Sequence, residues 1–412
     1  MSDTHARSSR QTRFTSQETR RRGRRALLMA AILGAGWSGQ YGSGALAAPA
    51  AKASSRVTRL EIASRTPAFG GVGFDRVGPY EILIGRATAV IDPKAGDGIV
   101  DLDKAPRTAS GLVEYSFDVQ ILKPVDLAKG NGVLAYEVNN RGNRLVYNYF
   151  NEGGAGYEAS NVGNAFLMKN GYTVVWSGWM HGESRAGSTA APPLLFAQFP
   201  VATDGGRPIV GTVREEWIRD TAPALSGQLT YPAASLDQSK ATLTYRQNEG
   251  NPRRPLSAAH WSFADDRTVK VVPPPDADAG TIYEFIYQAT RPVVAGVGFA
   301  GIRDIVSYLR YTAADDSGNL NPLFVNGAAV LKVAVSTGTS QSGRVQRDFL
   351  YQGFNRDPRG RRVFDGMNPI VGGGRRTFVN YRFAQPGRFT RQHEDHLYPM
   401  DEFPFTDRKS VV

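Results

Sequence analysis

Cysteine is absent from this chain of 412 residues. Its absence excludes disulfide bonds, cysteine nucleophiles and thiolate metal sites. Long hydrophobic runs are also missing, since no run reaches the ~18 apolar residues of a membrane-spanning helix. We therefore expect no stable membrane span, and the 45 glycines and 24 prolines instead describe a loop-rich globular protein.

The formal net charge of +11 is unevenly placed. Residues 1–47 hold eight arginines against Asp3 and Glu18, so more than half of the basic excess lies in this segment. The remainder is unremarkable for a domain of this size. A nucleic-acid partner is not expected, because the basic patch sits mainly in a segment that export would remove.

Residues 1–47 have the three parts of an export signal: an arginine-rich start, an apolar run at 26–37 and the small residues Ala-Leu-Ala at 45–47. We predict a signal peptide and a periplasmic or secreted location in a bacterium. The arginine pair at 24–25 suggests twin-arginine export, although Gly23 stands where serine or threonine is usual. The route of export stays open, and a disordered basic tail is the alternative.

The ordered part is predicted to follow a linker at 48–55 and to run from 56 to 406 as one domain. Between 180 and 280 we expect a large irregular insertion, which could form a cap over a site. A helical pattern covers 299–313. Apolar runs typical of strands, bounded by Gly, Pro and Asp clusters, occur at 57–63, 80–91, 111–124, 132–138, 171–179, 239–247, 282–289 and 328–336.

This order of elements predicts an α/β protein with a mostly parallel central sheet and a β-rich N-terminal part. The strand at 328–336 leads into Gly338-Thr339-Ser340-Gln341-Ser342-Gly343 and then a helical pattern. A sharp turn between strand and helix exposes a nucleophile, provided that small residues flank it. Ser340 meets this condition with Gly338 two residues before it and Ser342 two residues after it. Ser342 replaces the more usual glycine.

The alternative for Ser340 is an N-capping serine at the start of the helix. If Ser340 is a nucleophile, the backbone N–H of Gln341 is the first donor of an oxyanion hole. A second donor is expected from the loop after the strand at 132–138, near Arg141 or Gly142. That loop could equally be an ordinary turn.

Several further segments carry a family resemblance: YEVNNRGN at 136–143, VAGVGFAGIRD at 295–304, RRVFDGMNPIVGGG at 361–374 and HLYPMDEFPFT at 396–406. Together with GTSQSGR at 338–344, they resemble a family of exported bacterial α/β-hydrolase-domain proteins. The resemblance covers nearly everything from Arg56 to Thr406. It implies an α/β-hydrolase fold with Ser340 as the nucleophile.

A serine hydrolase also needs a histidine base and an acid after the nucleophile. Only His393 and His396 follow Ser340. The resemblance implies that the acid and the histidine come from a further stretch of chain. We therefore hypothesise a truncated product with a non-native tail at 407–412, impaired by the loss of this stretch. Asp365 is a weak candidate for the acid, because Asp-Gly is first of all a turn signal.

Two other motifs suggest different chemistry. Gly296, Gly298 and Gly301 match a dinucleotide-binding pattern, but Pro292 interrupts the strand before them. His393-Glu394-Asp395-His396 has metal-ligand spacing, yet a polar surface turn fits it better. We expect no metal and no cofactor. The sequence favours an esterase-like serine hydrolase acting on a small-molecule ester, with a non-catalytic exported binding protein on the same fold as the alternative.

Overall fold

A computed structural model describes residues 54–95, 98–182, 193–218, 225–373 and 377–386. The predicted signal peptide, the 407–412 tail and the two histidines after Ser340 lie outside these ranges. No helix within them is long and apolar enough to cross a membrane.

The strands alternate with few helices, and their bounds in chain order are as follows. The first group is β1 Ser55–Pro67, β2 Gly73–Phe74, β3 Gly78–Ile91, β4 Val113–Pro124, β5 Val133–Val138 and β6 Thr173–Ser177. The second group is β7 Ala197–Gln198, β8 Thr203–Asp204, β9 Arg207–Pro208, β10 Val210–Ile218, β11 Leu225–Gln228, β12 Thr242–Arg246, β13 Arg254–Pro255, β14 Trp261–Asp265, β15 Thr268–Val271 and β16 Ile282–Thr290. The last group is β17 Phe324–Val325, β18 Ala328–Ala329, β19 Val333–Thr339 and β20 Gly366–Ile370. The helices are α1 Val146–Phe150, α2 Phe166–Lys169, α3 Val297–Tyr311 and α4 Gln341–Tyr351.

The main sheet has the order β1-β3-β4-β6-β5-β19-β20, with β2 paired to β3 and β7 to β4. The pairings β1-β3, β3-β4 and β4-β6 are antiparallel, whereas β6-β5, β5-β19 and β19-β20 are parallel. The prediction of a mostly parallel sheet thus holds for one half only. The segments that join β1 to β3 (68–77) and β3 to β4 (92–112) contain no α-helix among their described residues, and antiparallel neighbours need no helical crossover. The parallel pairs instead have crossovers, through α1 and α2 between β5 and β6 and through α4 between β19 and β20.

Within the ranges that the structure describes, the segment predicted as an irregular insertion contains regular strands. It forms an antiparallel sheet in the order β10-β16-β12-β13 and a second sheet in the order β11-β15-β14. The first of these includes β16 and therefore extends past residue 280 to Thr290. Phe285 packs against Trp261 and Trp217, with ring centroids 5.2 and 5.6 Å apart. These contacts give the segment an aromatic core of its own.

Helix α3 confirms the predicted helical pattern and begins two residues earlier, at Val297. Every residue of α3 before Tyr311 is buried. Phe299 in its first turn packs against Phe349 of α4, with centroids 6.1 Å apart. Helix α4 lies against β19 and β20, so it runs back along the strand that it follows.

Candidate active site

Ser340 occupies a sharp turn between β19 and α4. Its backbone has φ 59° and ψ −114°, a region that non-glycine residues rarely adopt and that costs about 1–3 kcal/mol. The Ser340 N–H donates to the carbonyl of Ile370 at 2.8 Å, which ties the turn to the end of β20. Its side chain is exposed and does not cap the helix. The N-capping alternative therefore has no hydrogen bond to support it.

The turn leaves no room for side chains at Gly338 and Gly343. A Cβ on Gly338 would stand 2.7 Å from the carbonyl oxygen of Ser342, which is backbone and cannot swing away. A Cβ on Gly343 would stand 3.0 Å from the Ile370 carbonyl oxygen. The small residues that the sequence places around Ser340 are therefore needed by the geometry of the turn.

Ser342 explains why a serine can stand in the usual glycine position. It is fully buried, and its Oγ donates to the carbonyl oxygen of Asn139 at 2.9 Å. The same carbonyl accepts the indole N–H of Trp179 at 2.7 Å. One backbone oxygen thus joins the start of α4 to the segments that follow β5 and β6.

The loop after β5 lies directly beside the turn that contains Ser340. Asn140 Nδ2 donates to the carbonyl of Thr339 at 3.1 Å. Asn140 and Asn143 exchange backbone hydrogen bonds of 2.8 and 3.0 Å across Arg141 and Gly142. Both of these central residues have positive φ, 51° and 84°, as a tight two-residue turn requires. The predicted oxyanion loop is therefore a well-defined turn at the predicted edge of the sheet.

Two polar groups in this loop are already engaged. The Gly142 N–H donates to Asn139 Oδ1 at 2.9 Å, so in this arrangement it faces away from an incoming oxyanion. The carbonyl of Gly142 accepts from Leu195 N at 3.2 Å. Burial lowers the pKa of the partly buried Arg141 guanidinium, whose Nη1 donates to Asn140 Oδ1 at 3.0 Å.

Gln341 follows Ser340 and begins α4. Its backbone N–H has no acceptor inside its own helix, as expected for a first-turn residue. Its side chain is 1% exposed, and neither the carboxamide oxygen nor the nitrogen has a hydrogen-bond partner. Leaving such a buried group unsatisfied costs about 1–3 kcal/mol of stability. This cost adds to that of the strained backbone at Ser340.

Glu137 was not singled out from the sequence, although a charged residue inside the apolar run of β5 is an available signal. It pairs with Thr337 of β19, three residues before Ser340. Its carboxyl accepts from Leu145 N at 2.6 Å and from Trp176 Nε1 at 2.5 Å. Burial raises the pKa of Glu137 to about 7 against the opposing effect of these donors. Glu137 therefore fixes the far end of the 139–145 loop.

Asp365 is placed where it cannot assist Ser340. It lies just before β20, and its Oδ2 accepts from Ala334 N at 3.0 Å, near the first residue of β19. Arg310 Nη2 of α3 donates to the same oxygen at 2.8 Å. Because β19 and β20 are parallel, Asp365 and Ser340 lie at opposite edges of the sheet. This position does not support Asp365 as the triad acid, for which the sequence made it a weak candidate.

Two histidines fall within the described ranges. His181 Nδ1 accepts from Phe199 N at 3.1 Å, and His260 Nδ1 bonds to Ser257 Oγ at 3.1 Å. Neither is hydrogen-bonded to Ser340. The acidic residues and histidines of 393–396 lie outside the described residues, and so does any site that they form.

The glycine motif at the start of α3 does not form an open phosphate cradle. A Cβ on Gly298 would stand 2.2 Å from the carbonyl oxygen of Trp179, and one on Gly296 would stand 2.3 Å from Asn380 Oδ1. These glycines allow close packing of protein against protein. Within the ranges that the structure describes, no group of three or more Asp, Glu or His side chains is suited to a metal ion.

Comparison with known proteins gives one match. A family model described as an alpha/beta hydrolase domain matches residues 260–403. This range includes α3, β19, the Ser340 turn, α4 and β20. No curated protein and no solved structure matched the chain. The family resemblance is thus supported over the part of the chain that contains Ser340.

Proposed function

We propose that this protein is a serine hydrolase that acts on a carboxylic ester or a related acyl substrate through Ser340. The observation that carries the proposal is the strained, exposed and uncapped serine between a buried parallel strand and a helix. A turn that only connects two elements has no reason to hold a serine at this cost. The strand order β4-β6-β5-β19-β20 also places Ser340 and the 139–143 loop on neighbouring strands, as the α/β-hydrolase fold requires.

In the proposed reaction, Ser340 Oγ attacks the acyl carbon and its proton passes to a general base. The carbonyl oxygen becomes an oxyanion, which the Gln341 N–H and a donor from the 139–143 loop stabilise. The alcohol leaves with a proton, and water then releases the acid and restores Ser340. No metal or cofactor takes part in these steps. The proposed base lies outside the described ranges, and His393 and His396 are its candidates.

A fluorophosphonate probe tests this proposal directly, because it forms a covalent bond with an activated serine. We expect the wild-type chain to label and Ser340→Ala not to label, while the control Ser110→Ala, which changes an exposed serine, labels like the wild type. Wild-type protein and Ser340→Ala that behave identically would refute the enzyme proposal.

The second candidate is a non-catalytic binding protein on the same fold. It is favoured by the one observation that neither described histidine bonds to Ser340. Such a protein would bind ester-like molecules without ever reacting with the fluorophosphonate. For either function we propose an exported protein, and the N-terminus of material recovered from outside the cytoplasm should begin after Ala47.

A further inference from the structure

Two cavities meet between the carboxyl edge of the main sheet and the smaller sheets. The inner cavity has a volume of about 260 Å³ and mostly apolar walls, including Trp179, Phe199, Val293 and Ala384. The outer one has a volume of about 510 Å³ and is more polar. His181, Thr230, Tyr231 and Val293 line both, so the two form one continuous cleft.

The inner end of this cleft is tied to the nucleophile turn. Trp179, which forms part of its wall, donates to the Asn139 carbonyl that also accepts from Ser342. Ser342 lies two residues beyond Ser340 in the same turn. A molecule in the inner cavity would therefore lie against a side chain that is hydrogen-bonded into the candidate active site.

The walls of the cleft are fixed by contacts between separate parts of the chain. Tyr231 donates from its hydroxyl to the carbonyl of Ala384 at 2.6 Å. Gln385 Nε2 donates to Glu215 Oε1 at 3.0 Å, which joins the 377–386 segment to β10. A cleft with walls held in this way is largely formed before a ligand arrives.

Among the described residues that line the cleft, the charged side chains are cationic. Arg267 and Arg291 lie in the wall of the outer cavity, and none of the described lining residues is a carboxylate. Arg267 Nη1 donates to the Thr230 carbonyl at 3.2 Å, and Arg291 Nη2 pairs with Asp266 at 2.8 Å. Their remaining N–H groups make no hydrogen bond within the described ranges. Guanidinium groups with open donors are suited to a carboxylate.

We propose that the cleft binds a substrate with an apolar body in the inner cavity and an anionic group, such as a carboxylate, between Arg267 and Arg291. Its role as a substrate site rests on the proposed function, whereas its preference for an apolar anion does not. The apolar walls remove the apolar body of the substrate from water, and the two arginines bind its anionic group.

Calorimetric titration of the full-length Ser340→Ala chain with octanoate and with octanamide tests the proposal without any catalysis. The two ligands have the same shape and differ in charge. We expect octanoate to bind about 10-fold more tightly or better, because charge-assisted hydrogen bonds are the stronger ones. Affinity should also rise from butanoate to octanoate as more apolar surface is buried.

Adding Arg267→Gln and Arg291→Gln should make octanoate and octanamide bind alike. The matched control is Lys270→Gln, which removes an exposed charge on β15 outside the cleft and should keep the preference. Equal binding of the two ligands by Ser340→Ala, a preference that survives loss of both arginines, or no binding at all would overturn the proposal. Fluorophosphonate labelling of the wild type reports separately on the proposed function, so either idea can fail alone.

Discussion

At each end of β19 lies a side chain that the sequence made a candidate for one catalytic triad, Ser340 after its last residue and Asp365 beside Ala334. At the carboxyl end, Ser340 is exposed and strained, and its side chain does not cap α4. At the amino end, the Asp365 carboxylate is held by Arg310 and by the backbone of Ala334. Ser340 lies six positions after Ala334 along an extended strand, which corresponds to about 20 Å. The serine hydroxyl is thus exposed at one end of the strand, whereas the aspartate carboxylate is held by hydrogen bonds at the other.

The largest effect on stability is expected at the carboxyl end from Gly338→Ala. The new Cβ would collide with the Ser342 backbone, and we expect a loss of about 3 kcal/mol in the free energy of unfolding together with slower labelling of Ser340. The matched control is Gly366→Ala in the adjacent strand β20, where the nearest atom would be 3.6 Å away. Urea denaturation of both variants measures the difference, and equal losses would contradict the tight turn.

The pH dependence of stability should report Glu137, the buried carboxyl beside this end of β19. Because the fold raises the pKa of Glu137 to about 7, its contribution to stability is complete below the ordinary value of 4.5 and is lost as the pH rises through 7. Glu137→Gln cannot ionise. The free energy of unfolding of this variant relative to wild type should therefore rise by about 2 kcal/mol between pH 5 and pH 8.

Thermal or urea unfolding at several pH values would measure this rise. Glu114→Gln changes an exposed glutamate of β4 and serves as the control. A difference between Glu137→Gln and wild type that stays constant with pH would mean that Glu137 ionises as easily in the folded chain as in the unfolded one.

Asp365→Asn tests the amino end. It removes the charge opposite Arg310, whose side chain is 7% exposed, and we expect a loss of about 1–2 kcal/mol of stability. The folded variant should still react with the fluorophosphonate at the wild-type rate. The exposed Asp75→Asn is the control for stability. If folded Asp365→Asn labelled a hundredfold more slowly than the wild type, Asp365 would contribute to the reactivity of Ser340, contrary to this comparison.

The smallest effect is expected from Ser342→Ala. It removes the hydrogen bond to the Asn139 carbonyl at a cost of about 1 kcal/mol, and labelling of Ser340 should slow a few-fold as the 139–143 loop loosens. Ser262→Ala on β14, an exposed position, should change neither quantity. Labelling and stability that match the wild type would show that the Ser340 turn and the 139–143 loop are independent.

The sharp turn at Ser340 could be predicted from sequence because its requirements are local. A buried strand, small residues at Gly338 and Gly343 and a helical pattern all lie within a few positions of Ser340. The location of Asp365 could not be predicted in this way. Which edge of a sheet a residue reaches depends on the direction and order of its strands, and those depend on contacts between distant parts of the chain.

The loop after β5 was predicted by position but not in detail. Its turn-forming residues are visible in the sequence, whereas the use of the Gly142 N–H by Asn139 depends on a side-chain conformation. Of the sheets between β10 and β16, the sequence predicted strands at β12 and β16, but the other strands were missed for another reason. Several of their strands are only two to five residues long, so the periodic pattern is too short to separate them from loops.

The Asn139 carbonyl has a consequence for engineering new specificity. It accepts hydrogen bonds from Trp179 in the wall of the cleft and from Ser342 in the first turn of α4. A library that varies position 179 alone would leave this oxygen with one donor fewer and would shift the loop that both donors hold. Positions 139, 179 and 342 are therefore structurally coupled. Libraries that alter the cleft should vary these three positions together.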